Sequence, residues 1–204
     1  MIENYAHKAS LLGQTKAVLE LCRSASEGDS DSQRRLVELL FNRIYKTASY
    51  ITRDLEEAKD IAQSACVEVL LSAGTYRGDS SVSYWADRVT LQTASKILHK
   101  KKRRERILSS FYQPPMFSKG SHERAEASEI RDRLAVHMQT LKLNLREIVL
   151  LRYVYDYTIK EAAEICGIPL ETARGRLKTG RFKLKKRIMN DPILSDWVKE
   201  WIEE

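Results

Sequence analysis

The thirty residues from Thr158 to Arg187, TIKEAAEICGIPLETARGRLKTGRFKLKKR, constrain this chain more than any other stretch. Thr158 and Glu161 have the spacing of a capping box, which sets the start of a first helix. Ile159, Ala162, Ala163 and Cys166 then recur at helical spacing on one face. Gly167 can take the left-handed conformation that ends a helix, and Pro169 blocks its simple continuation. A second helix begins at Leu170, with Leu170, Ala173, Leu177, Phe182 and Leu184 as an irregular apolar stripe. Its other face carries Thr172, Arg174, Arg176, Lys178, Arg181 and Lys183, with Glu171 as the single acid. Ala163 and Gly175 are small, as two closely crossing helices require. The spacing predicts a helix-turn-helix whose second helix enters a major groove, where Arg and Lys reach phosphates and guanine edges. A solvated basic helix in a bundle is the plainer reading of the same charges.

The charge balance supports a polyanionic partner. Lys and Arg number 35 against 28 Asp and Glu, a net charge of +7 over 204 residues. The excess is gathered into Lys96–Arg106 and Arg174–Arg187, whereas Asp191–Glu204 is acidic. Nothing in the sequence points to catalysis. Cys22, Cys66 and Cys166 are scattered, without a C-x-x-C, and read as small apolar residues. His7, His99, His122 and His137 have no metal-ligand spacing, and no Gly-rich phosphate loop or nucleophile elbow is present. No catalytic residue, metal site or cofactor is expected. No apolar run approaches the ~20 residues of a membrane span, and no signal peptide opens the chain, so membrane insertion is not expected and a cytoplasmic protein is.

The rest reads as helices, giving an all-α expectation of two small helical domains on a flexible linker. Residues 1–25 form an N-terminal extension, with Leu11, Leu12, Val18, Leu19 and Leu21 suggesting a helix. Ser30 and Gln33 suggest a capping box opening a helix through Leu36, Leu39, Leu40, Ile44, Tyr45 and Ala48. Asp54 and Glu57 open the next, with Ala58, Ile61, Ala62, Ala65, Val69 and Leu70 inward and Asp60, Gln63, Ser64 and Glu68 outward. A turn-rich loop, Gly74–Ser81, precedes a long helix with Val82, Trp85, Val89, Ile97 and Leu98 inward. Tyr76, Tyr84 and Trp85 lie around the start of this basic helix, where aromatic faces could stack on unpaired bases at ~1–3 kcal/mol each; packing in the core is the alternative for Trp85 and Tyr76. These parts make a domain over 26–106. Residues 107–128, with Pro114-Pro115 and Gly120, read as a linker. At ~3.3 Å per residue it reaches at most ~70 Å, about twenty base pairs of duplex. A second domain spans 129–189. It opens with Ile130, Leu134, His137 and Leu141; Asn144 and Glu147 then suggest a capping box for a helix burying Ile148, Val149 and Leu151, with Tyr153 a further candidate. Residues 190–204 start with Asp191-Pro192 and form an acidic amphipathic helix whose Leu194, Trp197, Val198 and Trp201 need burial. Two roles stay open for it: completing the core of the second domain, or lying over the basic helix as a charged lid.

In this order the parts resemble regions 2 and 4 of bacterial RNA polymerase sigma factors, in the small extracytoplasmic-function (group 4) family. The resemblance rests on DLEEAKDIAQSACVEVLL, on YRGDSSVSYWADRV running into HKKKRR, and on LREIVLLRYVYDYTIKEAAEICGIPLETARGRLKTGRFKLKKRI. It covers 30–106 and 130–187, and leaves the first 25 residues and the acidic tail uncovered. It implies a non-enzymatic role: binding core RNA polymerase, choosing promoter DNA by its −35 and −10 elements and aiding its opening, under an anti-sigma factor. By this resemblance Asp60 and Gln63 dock on the polymerase, and Glu68 extends their polar face. Tyr76, Arg77, Ser80, Tyr84, Arg88, Gln92, Lys96 and Lys100 serve the −10 element, the loop to Ser81 capturing an unstacked base and the helix from Ser83 to Lys102 reading it. Glu171, Thr172, Arg174, Arg176, Lys178 and Arg181 serve the −35 element. The chain departs from the family pattern at Ser64, Gln92, Lys96 and Pro169, where Glu, Asn, Asp and a capping Ser are usual; the small residue after the basic position is Gly175, which costs ~1 kcal/mol of helix stability. A stand-alone helix-turn-helix regulator, binding duplex without polymerase, is the alternative, but it leaves residues 30–106 without a task.

Overall fold

A computed structural model of the chain describes residues 16–52, 54–108 and 126–195, with side chains over 16–52, 54–104 and 133–195. The expectations for Leu11 and Leu12, for residues 109–125 of the linker and for Trp197, Val198 and Trp201 lie outside these residues. Among the described residues there are helices and no strand, as the all-α reading requires. They are α1 over 16–26, α2 Ser30–Ile51, α3 Leu55–Ser72, a 3₁₀ turn Ala73–Thr75, α4 Val82–Leu108, α5 Glu126–Gln139, α6 Leu143–Tyr153, α7 Ile159–Cys166 and α8 Leu170–Ile188. A helical turn at 192–195 follows. The chain divides into two compact units between Ala94 and Ser95, inside α4.

In the first unit α2 and α3 form a helical hairpin. Leu36, Leu40, Ile44, Ala48 and Ile51 make the buried stripe of α2, and Ala58, Ile61, Ala62, Ala65 and Val69 that of α3. The turn is closed by Thr52, whose Oγ1 donates to the Asp54 carbonyl at 2.6 Å and accepts from the Asp54 amide at 3.0 Å. Asp54 then caps α3, accepting from Glu56 and Glu57 amides. The cap expected at Ser30 is instead Asp29, which accepts from the Ser32 amide, while Gln33 donates to the Ala25 carbonyl. An Asp in extended backbone one residue earlier offers the stronger acceptor, so the Ser30–Gln33 box does not form.

The inward face of α4 also differs from the expectation. Val82, Trp85, Val89, Ile97 and Leu98 are only half-buried, whereas Ala86, Asp87, Thr90, Leu91, Thr93 and Ala94 are buried. Small and polar residues, which periodicity of large apolar residues overlooks, make the closest contact. Asp87 is fully buried and takes a forked contact from Arg43 of α2, with Nε–Oδ1 at 3.0 Å and Nη2–Oδ2 at 2.6 Å. The Thr47 hydroxyl lies 3.4 Å from Oδ1. This pair ties α4 to α2 across 44 positions of sequence.

In the second unit α6 is the central element, with every residue from Leu145 to Leu151 buried. Its start is not the expected Asn144–Glu147 box. Lys142 stands at the N-cap without a side-chain bond, and Glu147 is buried, accepting from the Ser95 hydroxyl at 2.9 Å. Burial pushes its carboxyl above the usual range, opposed by Ser95, Arg176, His99 and Arg146. Arg146 is buried too and closes the end of α5, donating to the carbonyls of Met138, Gln139 and Leu141 at 2.6–3.1 Å. Tyr153, a candidate for the core, is exposed beyond the last buried turn of α6.

The helix-turn-helix forms as expected at its turn. Thr158 and Glu161 make the reciprocal capping box, and Gly167 ends α7 in the left-handed region at φ 63°. Two expectations for α8 are corrected. Phe182 leaves the core stripe and is 69% exposed. The close helix crossing falls not at Gly175, which has nothing within 4 Å of where a Cβ would stand, but at Gly180, where a Cβ would lie 2.7 Å from Val149 Cγ2 of α6. Gly180, Ala173, Leu184 and Ile188 are the buried residues of α8. After it, Asp191 caps the turn at 192–195, accepting from Ile193 and Leu194 amides, and is held by His137 at 2.8 Å and Arg133 at 3.4 Å. Leu194 is buried, which places that part of the tail's apolar side in the second unit's core.

Candidate nucleic-acid interface

Most of the residues expected to meet DNA lie on two helices, α4 and α8, and are outward there; Tyr76, Arg77 and Ser80 lie on the loop before α4. On α8 the helical pitch of ~100° per residue separates the candidates into two rows. Glu171, Arg174, Lys178 and Arg181 fall within an arc of ~80°, and Thr172 and Arg176 lie ~100° or more around from Glu171. All six are exposed except Arg176, which is half-buried and lies near enough to Glu147 to hold down its proton affinity. Arg174 pairs with Glu171 one turn away, so the lone acid of the row neutralises one of its own cations. Pro169 stands at the N-cap of α8 and makes no side-chain cap bond. The first amides of α8 therefore have no side-chain cap from that position, at the end where a helix favours anions.

On α4, Arg88, Gln92, Lys96 and Lys100 are all exposed, with Tyr84 half-buried at the head of the row. Steps of four residues turn ~40° each, so Arg88 to Lys100 sweep about 120° around the helix. The row continues into exposed Lys101, Lys102, Arg103 and Arg104. Ser81 caps the helix, its Oγ accepting from the Tyr84 amide at 3.1 Å.

The loop before α4 is arranged differently from a stacking platform. Tyr76 is 8% exposed, its ring 5.5 Å from that of Trp85 at a tilt of 43°. Its hydroxyl donates to the Ser80 carbonyl at 2.9 Å, and burial pushes its pKa up. The aromatic pair thus shapes the loop, as the core alternative for Tyr76 holds. Arg77 is exposed and Ser80 half-buried, so the outward groups of the loop are polar.

On α3, Asp60 and Gln63 are exposed and lie ~60° apart on one face. Glu68 is exposed as well and lies ~80° around from Asp60 and ~140° from Gln63, at the edge of that face. What does continue the face is apolar: Val67 and Leu71, four and eight residues after Gln63, are exposed, Leu71 at 77%. Composition hid them, because a Val and a Leu inside an apolar helix read as core. Their spacing from Gln63 was the available signal.

Nothing in the geometry suggests catalysis. The Cys22 thiol is pushed up to about 11 and that of Cys166 to about 12, first of all by burial, so neither is an activated nucleophile. Among the described residues no group of His, Cys, Asp and Glu could hold a metal ion, and no helix is long and apolar enough to cross a membrane.

Comparison with known proteins agrees with this arrangement. Residues 36–104 match the family model for sigma-70 region 2, and residues 131–184 that for sigma-70 region 4. The chain is 26% identical over 186 residues to the RNA polymerase sigma-H factor of Pseudomonas aeruginosa, covering 87% of this chain and 95% of that protein. It is 21% identical over 175 residues to the ECF RNA polymerase sigma factor SigW of Bacillus subtilis, covering 81% and 94%. Among solved structures, CnrH in complex with the cytosolic domain of CnrY has the same fold, with a TM-score of 0.57 at 20% identity over 86% of this chain and 99% of that one. The sigma factor RpoE of Bartonella quintana, in complex with the anti-sigma factor NepR, is similar at a TM-score of 0.57 and 15% identity, over 75% of this chain and 94% of that one. With both region models matched in order, and an exposed row of basic and polar residues on a helix in each, the chain belongs to the extracytoplasmic-function (group 4) family of RNA polymerase sigma factors, which act in transcription initiation and are not enzymes.

Proposed function

We propose that this chain joins core RNA polymerase and reads a promoter in two pieces. α8 reads the −35 element as duplex through Glu171, Thr172, Arg174, Arg176, Lys178 and Arg181. α4 reads the −10 element through Tyr84, Arg88, Gln92, Lys96 and Lys100, while Arg77 and Ser80 hold a base that leaves the stack as the DNA opens. Tyr76 supports that loop from beneath. The domain limits that fit this reading are 26–106 and 129–189, with a linker between them. Each reader alone makes few contacts, and the polymerase sets their spacing, so the two weak readings combine. The observation that carries the proposal is the pair of outward basic and polar rows on two helices, α4 and α8.

The polymerase-facing surface is the α3 face of Asp60 and Gln63, extended by Val67 and Leu71, with Glu68 at its flank. Exposed apolar residues beside a few polar ones are what the centre of a protein interface needs. An anti-sigma factor is the further partner, since the two similar solved structures hold CnrY and the anti-sigma factor NepR. The test is a gel shift on a promoter library with and without core polymerase, with Asp60→Ala/Gln63→Ala alongside. Binding only with polymerase, lost in the double variant at unchanged thermal stability, is expected. Tight binding without polymerase would favour the stand-alone regulator and overturn this reading.

A further inference from the structure

Gly175 is the sixth residue of α8, and nothing among the described residues packs where its side chain would be. A glycine in a helix interior lowers helix stability relative to Ala, so its retention calls for a local cause. Two causes are common, and both are absent. Its backbone is ordinary: among the described residues the glycines with positive φ are Gly28, Gly78 and Gly167. Its surroundings are open: a Cβ there would have nothing within 4 Å. Gly180, five residues on in the same helix, shows what an internal cause looks like, since its Cβ would stand 2.7 Å from Val149.

The position of Gly175 supplies a third cause. At ~100° per residue it lies between ~140° and ~200° around the helix from the buried Ala173, Gly180 and Leu184. It is therefore the outermost point of the helix, between the row of Arg174 and Lys178 and the row of Thr172 and Arg176. Thr179, one turn on, turns its hydroxyl back to the Gly175 carbonyl at 2.9 Å, yet no heavy atom comes within 4 Å of where a Gly175 Cβ would stand. The result is a bare patch of backbone on the crest of a basic helix, with long cationic arms on either side.

We infer that Gly175 is a specificity-determining position of the −35 reader: the missing side chain lets α8 sit deep enough in the major groove for both rows to reach base edges. This rests on the reading of α8 as the duplex reader. A side chain at the crest would meet the floor of the groove first and lift both rows together, so the loss should grow with its size.

The experiment uses the full chain with core polymerase on a plasmid library randomised over both promoter elements, with transcripts sequenced. Gly175→Ala and Gly175→Leu are compared with wild type, both being strong helix formers. The expected result is an unchanged or raised melting temperature, unchanged polymerase affinity and unchanged −10 preference. Output from the −35 sequences that wild type prefers should fall about tenfold for Ala, and further for Leu, or move to other −35 sequences. Wild-type −35 preference retained within about twofold in both variants would overturn the inference. So would a lowered melting temperature in Gly175→Ala, which would show an internal role. A wild type without any −35 preference would instead overturn the reading of α8, and the inference with it.

Discussion

The two helices proposed to read DNA are held by opposite means. α4 is fixed by charge: the buried Asp87 carboxylate takes the Arg43 fork from α2, amid buried Thr47, Thr90 and Thr93. α8 is fixed by the absence of atoms: Gly180 and Ala173 let it lie against its neighbours, with Leu184 and Ile188 closing the contact. Either device fixes which residues face outward, because one residue of slippage turns a helix by ~100° and would replace the outward row. The forked ion pair is directional and specifies rotation through hydrogen-bond geometry. The glycine contact specifies it by exclusion, since only one side of α8 fits α6.

Three experiments bear on that contrast. The largest effect is expected from Asp87→Ala, which leaves the Arg43 guanidinium beside a void. A loss of about 3 kcal/mol from the first unit is expected in urea titrations, the low end for a broken buried pair because Arg43 is a third exposed. Promoter selection at the −10 element should degrade before that at the −35 element. Asp87→Leu tests the alternative of apolar anchoring: recovered stability with degraded −10 selection would show that charge provides orientation, and recovery of both would break the contrast.

Next in size is Gly180→Ala. The methyl must displace Val149, and a cost of about 1–3 kcal/mol to the second unit follows. The pair Gly180→Ala/Val149→Ala should recover part of that loss, since the second change makes the room the first requires. No recovery would mean that the contact with the Leu145 backbone, 3.5 Å from the same Cβ, sets the limit.

The smallest effect concerns the end of α8, where charge reappears. His137 first, then the amides of Leu194 and Ile193 and the charge of Arg133, lower the Asp191 carboxyl to about 2. A depressed carboxylate contributes stability above its unfolded pKa and loses it as pH falls through the folded one. Asp191 therefore stabilises the second unit at neutral pH and ceases to do so between roughly pH 5 and 2. Glu147 has the opposite sign: raised by burial, it contributes below its unfolded pKa, and that contribution is lost as pH rises through its folded one. Asp191→Asn should flatten the acid limb of a melting-temperature profile, and Glu147→Gln should gain relative stability as pH rises. Profiles of both variants parallel to wild type would remove charge from the account of this unit.

The capping box at Thr158, the left-handed Gly167, the stripes of α2 and α3 and the outward rows of α4 and α8 were legible in the sequence because each depends on residues within about one turn of helix. The same locality explains the misses. The cap at Asp29 outcompeted a valid box at Ser30 within one residue, and Glu147 left its box for a partner at Ser95. Phe182 broke the stripe of α8 because Gly180 was the inward residue. By itself, then, the sequence determined helix type and order and the polar faces of α4 and α8, since hydrogen bonding and solvation act over neighbouring residues. Tertiary structure alone decided which glycine is a contact and which a crest, that Tyr76 supports its loop from within, and that Asp87 belongs to Arg43. Those facts depend on atoms brought together from distant parts of the chain, and no local pattern encodes a distance between them.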